Sequence, residues 1–177
     1  MIRPARMSDY KACEILDLAM AEFSENFFNE TNYQKKIEKF YEFFGKEKTR
    51  FCLDNLFVYE KDNQIISICC AYGDREYNDD ALKQYLKNIN SNYEIIKECD
   101  KDEFYIDSVA IIPSYRKMGI LKEMLEYAIN IAKNKGYKKI TLITKSSQIY
   151  ERYGFKVINE CKEFENYFKM LKEIWIY

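Results

Sequence analysis

The chain has 177 residues, which fits one compact domain with its own hydrophobic core and leaves little room for two. Hydrophobic residues at 47% and charged residues at 32% exclude a disordered chain, and a formal charge of -1 with interspersed signs excludes the broad cationic surface that duplex nucleic acid needs. Histidine is absent, which rules out a Ser-His-Asp relay, a Cys-His pair and any His-liganded metal site.

Ile2 to Ala5 reads as a short first strand. Ser8-Asp9 offers an N-cap to a helix on which Cys13, Leu16, Met20 and Phe23 recur at helical spacing. Phe27 to Phe44, with Tyr33, Ile37, Phe40, Tyr41 and Phe44, reads as a second helix folded over the first and ended by Gly45. Asn55 to Glu60 and Gln64 to Tyr72 read as a hairpin about Lys61-Asp62-Asn63. Asp79 to Ile89 reads as a helix. Phe104 to Ile111 gives the strongest strand pattern, ended by Pro113. Gly119 to Asn134 is helical, with Leu121, Leu125, Ala128 and Ala132 in one stripe and Gly136 as a stop. Lys139 to Thr144 is predicted to be a strand, Ser146 to Arg152 a short helix, and Phe155 to Ile158 with Tyr167 to Leu171 a terminal strand pair. Alternating strands and helices with a clear hairpin make the class α/β with a mixed sheet.

None of the six cysteines forms a C-x-x-C pair. Cys69 and Cys70 are adjacent and should point to opposite faces of a strand. The set reads as reduced thiols. MIRPARMSDY carries no apolar signal region and no run reaches membrane-spanning length, so a cytoplasmic protein is expected.

One stretch carries chemistry. The apolar strand runs through Pro113 into a basic loop that opens the amphipathic helix at Gly119. First-turn amides of such a helix lack internal partners, and the aligned dipoles favour an anion there. Arg116 and Lys117 add positive charge, and glycine lets backbone approach a phosphate. On these grounds alone an ordinary strand-to-helix turn with surface basic residues fits as well.

Tyr105 to Ile120 resembles the central motif of the GCN5-related N-acetyltransferases, the GNAT family. That motif is an acidic strand, a Pro, then Arg/Gln-x-x-Gly-x-Gly/Ala opening a helix. Arg116 and Gly119 match; Leu121 replaces the small third residue. Tyr150-Glu151-Arg152-Tyr153-Gly154-Phe155 resembles the family's downstream Tyr-x-x-x-Gly-Phe, and Ile2 to Ala5 followed by Asp9 resembles its start. The resemblance spans the chain, 1–177, as a single domain and is distinctive over about residues 104 to 156. It implies the acyl-CoA N-acyltransferase fold: a mixed, mostly antiparallel sheet, splayed in the middle, with helices on both faces. It implies acetyl-CoA as cofactor, its pyrophosphate cradled by Arg116, Lys117, Met118, Gly119, Ile120 and Leu121. Its pantetheine arm would lie along Val109, Ala110 and Ile111 like an added strand.

For catalysis, the resemblance makes Tyr150 the acid that protonates the departing thiolate; the alternative is a tyrosine packing the short helix. Tyr153 reads as structural. Asp107, flanked by apolar residues, is the candidate base, or else a carboxylate satisfied by backbone amides. On strand alternation Ile106, Ser108 and Ala110 share one face, and Tyr105, Asp107, Val109 and Ile111 the other. Glu103 is a weaker candidate, expected to be exposed. The amide near Val109 or Ala110 would polarise the carbonyl. Cys69 or Cys70 as acyl carrier competes with buried apolar cysteine.

Acceptor residues are expected from Glu22, Glu25, Tyr33, Tyr41, Tyr72 and the acidic loop with Asp74 and Glu76, which would attract a cationic amine. A solvated loop leading to a helix N-terminus explains the same acidity. The expected partner is a small-molecule amine rather than a protein, with no nucleic acid, no membrane and no metal; pairing with a second copy of the chain is left open, since no apolar surface stripe compels it. The rival function is a non-catalytic acyl-CoA-binding or interaction module.

Overall fold

The computed structural model describes residues 1–20, 23–46, 49–162 and 164–175. Its strands are β1 (Ile2–Pro4), β2 (Leu56–Lys61), β3 (Gln64–Gly73), β4 (Phe104–Ile111), β5 (Lys139–Thr144), β6 (Lys156–Glu160) and β7 (Phe168–Glu173). Its helices are α1 (Lys11–Met20), α2 (Phe23–Phe28), α3 (Tyr33–Phe44), α4 (Asp79–Asn88), α5 (Ile120–Asn134) and α6 (Ser147–Glu151). The strands form one sheet in the order β1-β2-β3-β4-β5-β7-β6. Among the described residues only the β4–β5 pair is parallel, so the sheet is mixed and mostly antiparallel.

The β2–β3 hairpin closes on Asp62 and Asn63, both with positive φ (50° and 58°). That pairing of left-handed residues matches the twist of the flanking strands, and Asp and Asn tolerate it.

Both faces of the sheet are covered. On one face α1 to α4 bury Leu16, Phe28, Phe40, Phe43 and Leu86 against β3 and β4. On the other, α5 buries Met124, Leu125, Ala128 and Ala132 against Ile66, Ile106 and Ile140. Cys69 joins the second layer and its neighbour Cys70 the first, as strand alternation requires. Leu121 is half-buried against the α5 layer. No helix among the described residues is long and apolar enough to cross a membrane.

The N-terminal helices depart from expectation. Where one helix was predicted from Phe27 to Phe44, the chain breaks between α2 and α3. Asn29 adopts φ 46°, and the Asn32 side chain accepts from the Lys35 amide to start α3. Asp9 does not cap α1 with its side chain. Its carboxylate accepts from both Arg3 Nη atoms (2.7 and 2.9 Å) and from the Arg6 amide (2.8 Å).

Candidate active site

The site begins with an irregularity in β4. Cys70 pairs with Ser108 and Ala71 with Ile106, which leaves Asp107 as an extra, unpaired residue. Such a bulge breaks the two-residue alternation. Before it, Ile106 belongs to the α5 layer; after it, Ala110 belongs to the α1–α4 layer while Val109 and Ile111 pack toward α5. The expected grouping of Ile106 with Ser108 and Ala110 is therefore wrong beyond Asp107. The bulge is what allows the consecutive residues Asp107 and Ser108 to line the same cavity.

The parallel pairing of β4 with β5 stops at Ile106 and Leu142. Beyond that point β4 keeps β3 as partner as far as Ile111. Residues 107–111 thus have no ladder partner on the β5 side, and the sheet is splayed there. An extended ligand can add to such an edge through backbone hydrogen bonds.

At the end of this open edge the chain makes a 3-10 turn, Pro113–Tyr115, and enters the basic loop. Arg116 Nε donates to the Ile111 carbonyl (3.2 Å), which ties the loop to the strand. Lys117 and Gly119 both have left-handed φ, 64° and 84°. A Cβ at Gly119 would meet nothing within 4 Å, so glycine serves the backbone conformation there and leaves open space in front of it. The Gly119 carbonyl accepts from Glu123, so the amides of Ile120, Leu121 and Lys122 precede the first helical acceptor. Free amides at a helix start beside Arg116 and Lys117 fit a phosphate group.

Tyr150 sits in α6, half-buried against the α5 layer, its ring edge-on to Phe155 at 6.1 Å. Burial first, then the neighbouring Cys69 and Tyr153, push its hydroxyl up to about 12. The hydroxyl makes no hydrogen bond among the described residues. It is therefore protonated at neutral pH with its proton uncommitted.

On the other side of β4 lies a cavity of about 150 Å³. Its charged lining, among the described residues, consists of Arg50, Glu98 and Asp107. Arg50 is buried, and its guanidinium donates along one edge to Asp79: Nε to Oδ1 at 3.1 Å and Nη2 to Oδ2 at 2.7 Å. Arg50 Nη2 also donates to the Ile96 carbonyl (3.2 Å), and Nη1 donates to Glu98 Oε2 (3.1 Å) and faces Asp107 Oδ2 at 3.7 Å. The backbone beneath is clamped, since Asn55 Nδ2 donates to the Thr49 and Arg50 carbonyls and Cys70 Sγ to the latter. The Asp107 carboxylate accepts from the hydroxyls of Tyr72 (2.7 Å) and Ser108 (2.8 Å). Three carboxylates share one guanidinium, which leaves the cluster net negative. Burial first, then the charge of Asp107, push the Glu98 carboxyl up to about 7, against the pull of Arg50. A carboxylate near neutrality at a cavity wall is suited to accept a proton.

The Acetyltransferase (GNAT) family model matches residues 13–155. The chain belongs to the GNAT acetyltransferase family. Among solved structures, one described as an acetyltransferase superposes with TM-score 0.80 at 23% identity, over 99% of this chain and 100% of its own. An N-acetyltransferase from Staphylococcus aureus Mu50 gives 0.75 at 16%, over 98% and 100%. The PaiA N-acetyltransferase from Thermoplasma acidophilum, in complex with coenzyme A, gives 0.56 at 15%, over 98% and 98%. At these identities the likeness is one of fold. No curated protein matches the chain.

On this acetyltransferase the residues expected for the acceptor side divide. Tyr72 is fully buried and serves Asp107. Asp74 and Glu76 do not line the cavity. They follow β3 at Gly73, beside Phe104, at the end of β4 farthest from the phosphate loop. Glu76 is ion-paired there with Lys135 (2.6 Å). Glu25, Tyr33 and Tyr41 also lie off the cavity lining, and Glu22 falls outside the described residues. Glu103, expected to be exposed, is buried and accepts from Thr141 Oγ1 (3.0 Å) beside Lys169 Nζ (2.9 Å). Cys69 and Cys70 are buried, and burial pushes both thiols well up, which suits packing rather than acyl transfer. Sequence reasoning missed Arg50 and Glu98. The only signal for either was a charge embedded among apolar neighbours: Phe51 and Cys52 for Arg50, Ile95, Ile96 and Cys99 for Glu98.

Proposed function

We propose that this acetyltransferase moves an acetyl group from acetyl-CoA to the primary amine of a small molecule. The observation that carries the reading is the open edge of β4, with a phosphate-fitting loop at its end and a proton-accepting cluster at its bulge. Bound acetyl-CoA supplies the electrophilic thioester carbonyl. The amides at the start of α5, with Arg116 and Lys117, hold its pyrophosphate. The free edge from Val109 to Ile111 takes its pantetheine arm as an added strand, and the nearby amides polarise the carbonyl.

Glu98, with Asp107 beside it, takes the proton from the incoming ammonium so that a neutral amine attacks. Tyr150 gives its hydroxyl proton to the departing sulfur as the C–N bond forms and the C–S bond breaks, and the second proton, shed by the acylated nitrogen, returns through solvent to the phenolate. A phenol at about 12 is a weak donor toward a thiol of ordinary acidity, about 8.5. The same burial disfavours a thiolate beside it, as it does at Cys69, which narrows the gap between the two groups.

Thermal unfolding with and without acetyl-CoA, followed by thiol release against a panel of amines, tests the reading. A raised Tm and amine-dependent thiol release are expected. No shift with acetyl-CoA or CoA would overturn the donor assignment.

A further inference from the structure

The cavity beside Asp107 constrains the acceptor more tightly than the reaction class does. Its walls are apolar and mostly aromatic: Phe23, Phe27, Phe51, Tyr93, Phe164 and Tyr167 among them. Phe23 from α2 meets Phe164 and Tyr167, from the segment leading into β7, at 5.8 and 6.2 Å, so the two halves of the molecule close around the space. A volume of about 150 Å³ holds roughly a benzene ring.

The charged groups are gathered at one place, around Arg50. Arg50 looks like a carboxylate receptor but its donors are spent. Asp79 takes Nε and one Nη2 direction, the Ile96 carbonyl the other, and Glu98 and Asp107 stand before Nη1. Asp79 does not line the cavity, so it neutralises Arg50 from behind. Glu98 and Asp107 then present negative charge to the ligand. Among the described residues the cavity lining offers a substrate carboxylate no further cation to offset that charge, and offers a second ammonium no further carboxylate.

We infer that the acceptor is a primary monoamine with a compact aromatic or branched aliphatic body and no carboxylate, seated with its nitrogen at Glu98 and Asp107. The inference rests on the acetyltransfer reading above. The ammonium is drawn by the carboxylates and the aromatic faces, while the body fills the apolar space. Chemically, such amines are what decarboxylation of an apolar amino acid yields.

Thiol release should be compared for 2-phenylethylamine and isopentylamine, for phenylalanine and leucine, and for spermidine and kanamycin. The two monoamines are expected to exceed the amino acids in kcat/KM by about 100-fold, since like charges placed together in an interface are strongly disfavoured. Calorimetry without donor should show the same preference of 2-phenylethylamine over phenylalanine. Ala19→Phe, which narrows the cavity, should shift the ratio of 2-phenylethylamine to ethylamine turnover by about tenfold toward ethylamine. Equal or better use of the amino acids, spermidine or kanamycin overturns the inference and leaves acetyltransfer standing. So does an unchanged ratio in Ala19→Phe. No amine turnover despite stabilisation by acetyl-CoA also overturns it. Loss of acetyl-CoA binding itself strikes the function, and calorimetric preference for phenylalanine, or none, then overturns the inference separately.

Discussion

The two ends of the open β4 strand are built from different materials. The end proposed to take the phosphate is a run of consecutive residues, Arg116 to Leu121, which offers backbone amides set by Lys117 and Gly119 in left-handed conformations. The cavity end takes Arg50, Asp79, Glu98 and Asp107 from four separate segments, and its working groups are side chains held by one another. A site made of backbone tolerates side-chain change. A site made of mutually dependent buried charges does not.

Four substitutions would break or sharpen that contrast, and the largest effect is expected at the cavity end. Arg50→Met leaves three carboxylates without their shared cation, and chemical denaturation should show a loss of about 3–5 kcal/mol, as when one partner of a buried ion pair is removed. Retention of full stability would mean the cluster is solvated in practice. Glu98→Gln comes next, with kcat/KM falling on the order of 10³-fold. In the parent enzyme Glu98 is protonated below about 7 and cannot accept a proton, so the rate should rise as pH passes through about 7 and then level. Steady-state pH profiles should lose that rise in Glu98→Gln; a persisting rise would transfer the role to another group.

Tyr150→Phe should lower kcat on the order of 10²-fold with acetyl-CoA affinity unchanged in calorimetry. Equal losses in both would make Tyr150 a packing residue. The smallest effect belongs to the phosphate end. Gly119→Ala meets no atom within 4 Å and incurs only the left-handed backbone penalty, about 1–2 kcal/mol. Titration should show acetyl-CoA binding weakened about tenfold. A far larger loss would mean that the added methyl occupies the ligand's own space.

The C-terminal elements were legible because their patterns are local. β4 and β5 have the bounds that alternation gave them, Phe104–Ile111 and Lys139–Thr144, and α5 begins directly after Gly119. The N-terminal half was less so. Apolar spacing continues from Phe27 to Phe44 across a real break, because α2 and α3 both bury aromatic residues in one layer and so share a pattern without sharing an axis. The polar run Asn29-Glu30-Thr31-Asn32 marks the interruption, with Asn32 as the cap.

Asp107 shows the limit in a single residue. Its sequence setting identified a carboxylate in an apolar strand, hence one in need of partners. Nothing in that setting announced the bulge, because a bulge is a mismatch between two strands and exists only once β3 lies alongside. Glu98 was silent for a similar reason. It lies in an irregular segment with no period to read, and it is burial together with the charge of Asp107 that pushes its carboxyl up to about 7.

The sequence by itself determined the family, the strand-loop-helix that fits a phosphate and the tyrosine downstream of it. These depend on residues close together in the chain and on backbone geometry that glycine and helix starts dictate locally. The tertiary structure alone decided which carboxylates gather, where the cavity lies and how Arg50 is occupied. Burial and charge proximity are properties of packed neighbours, and those neighbours are far apart in sequence.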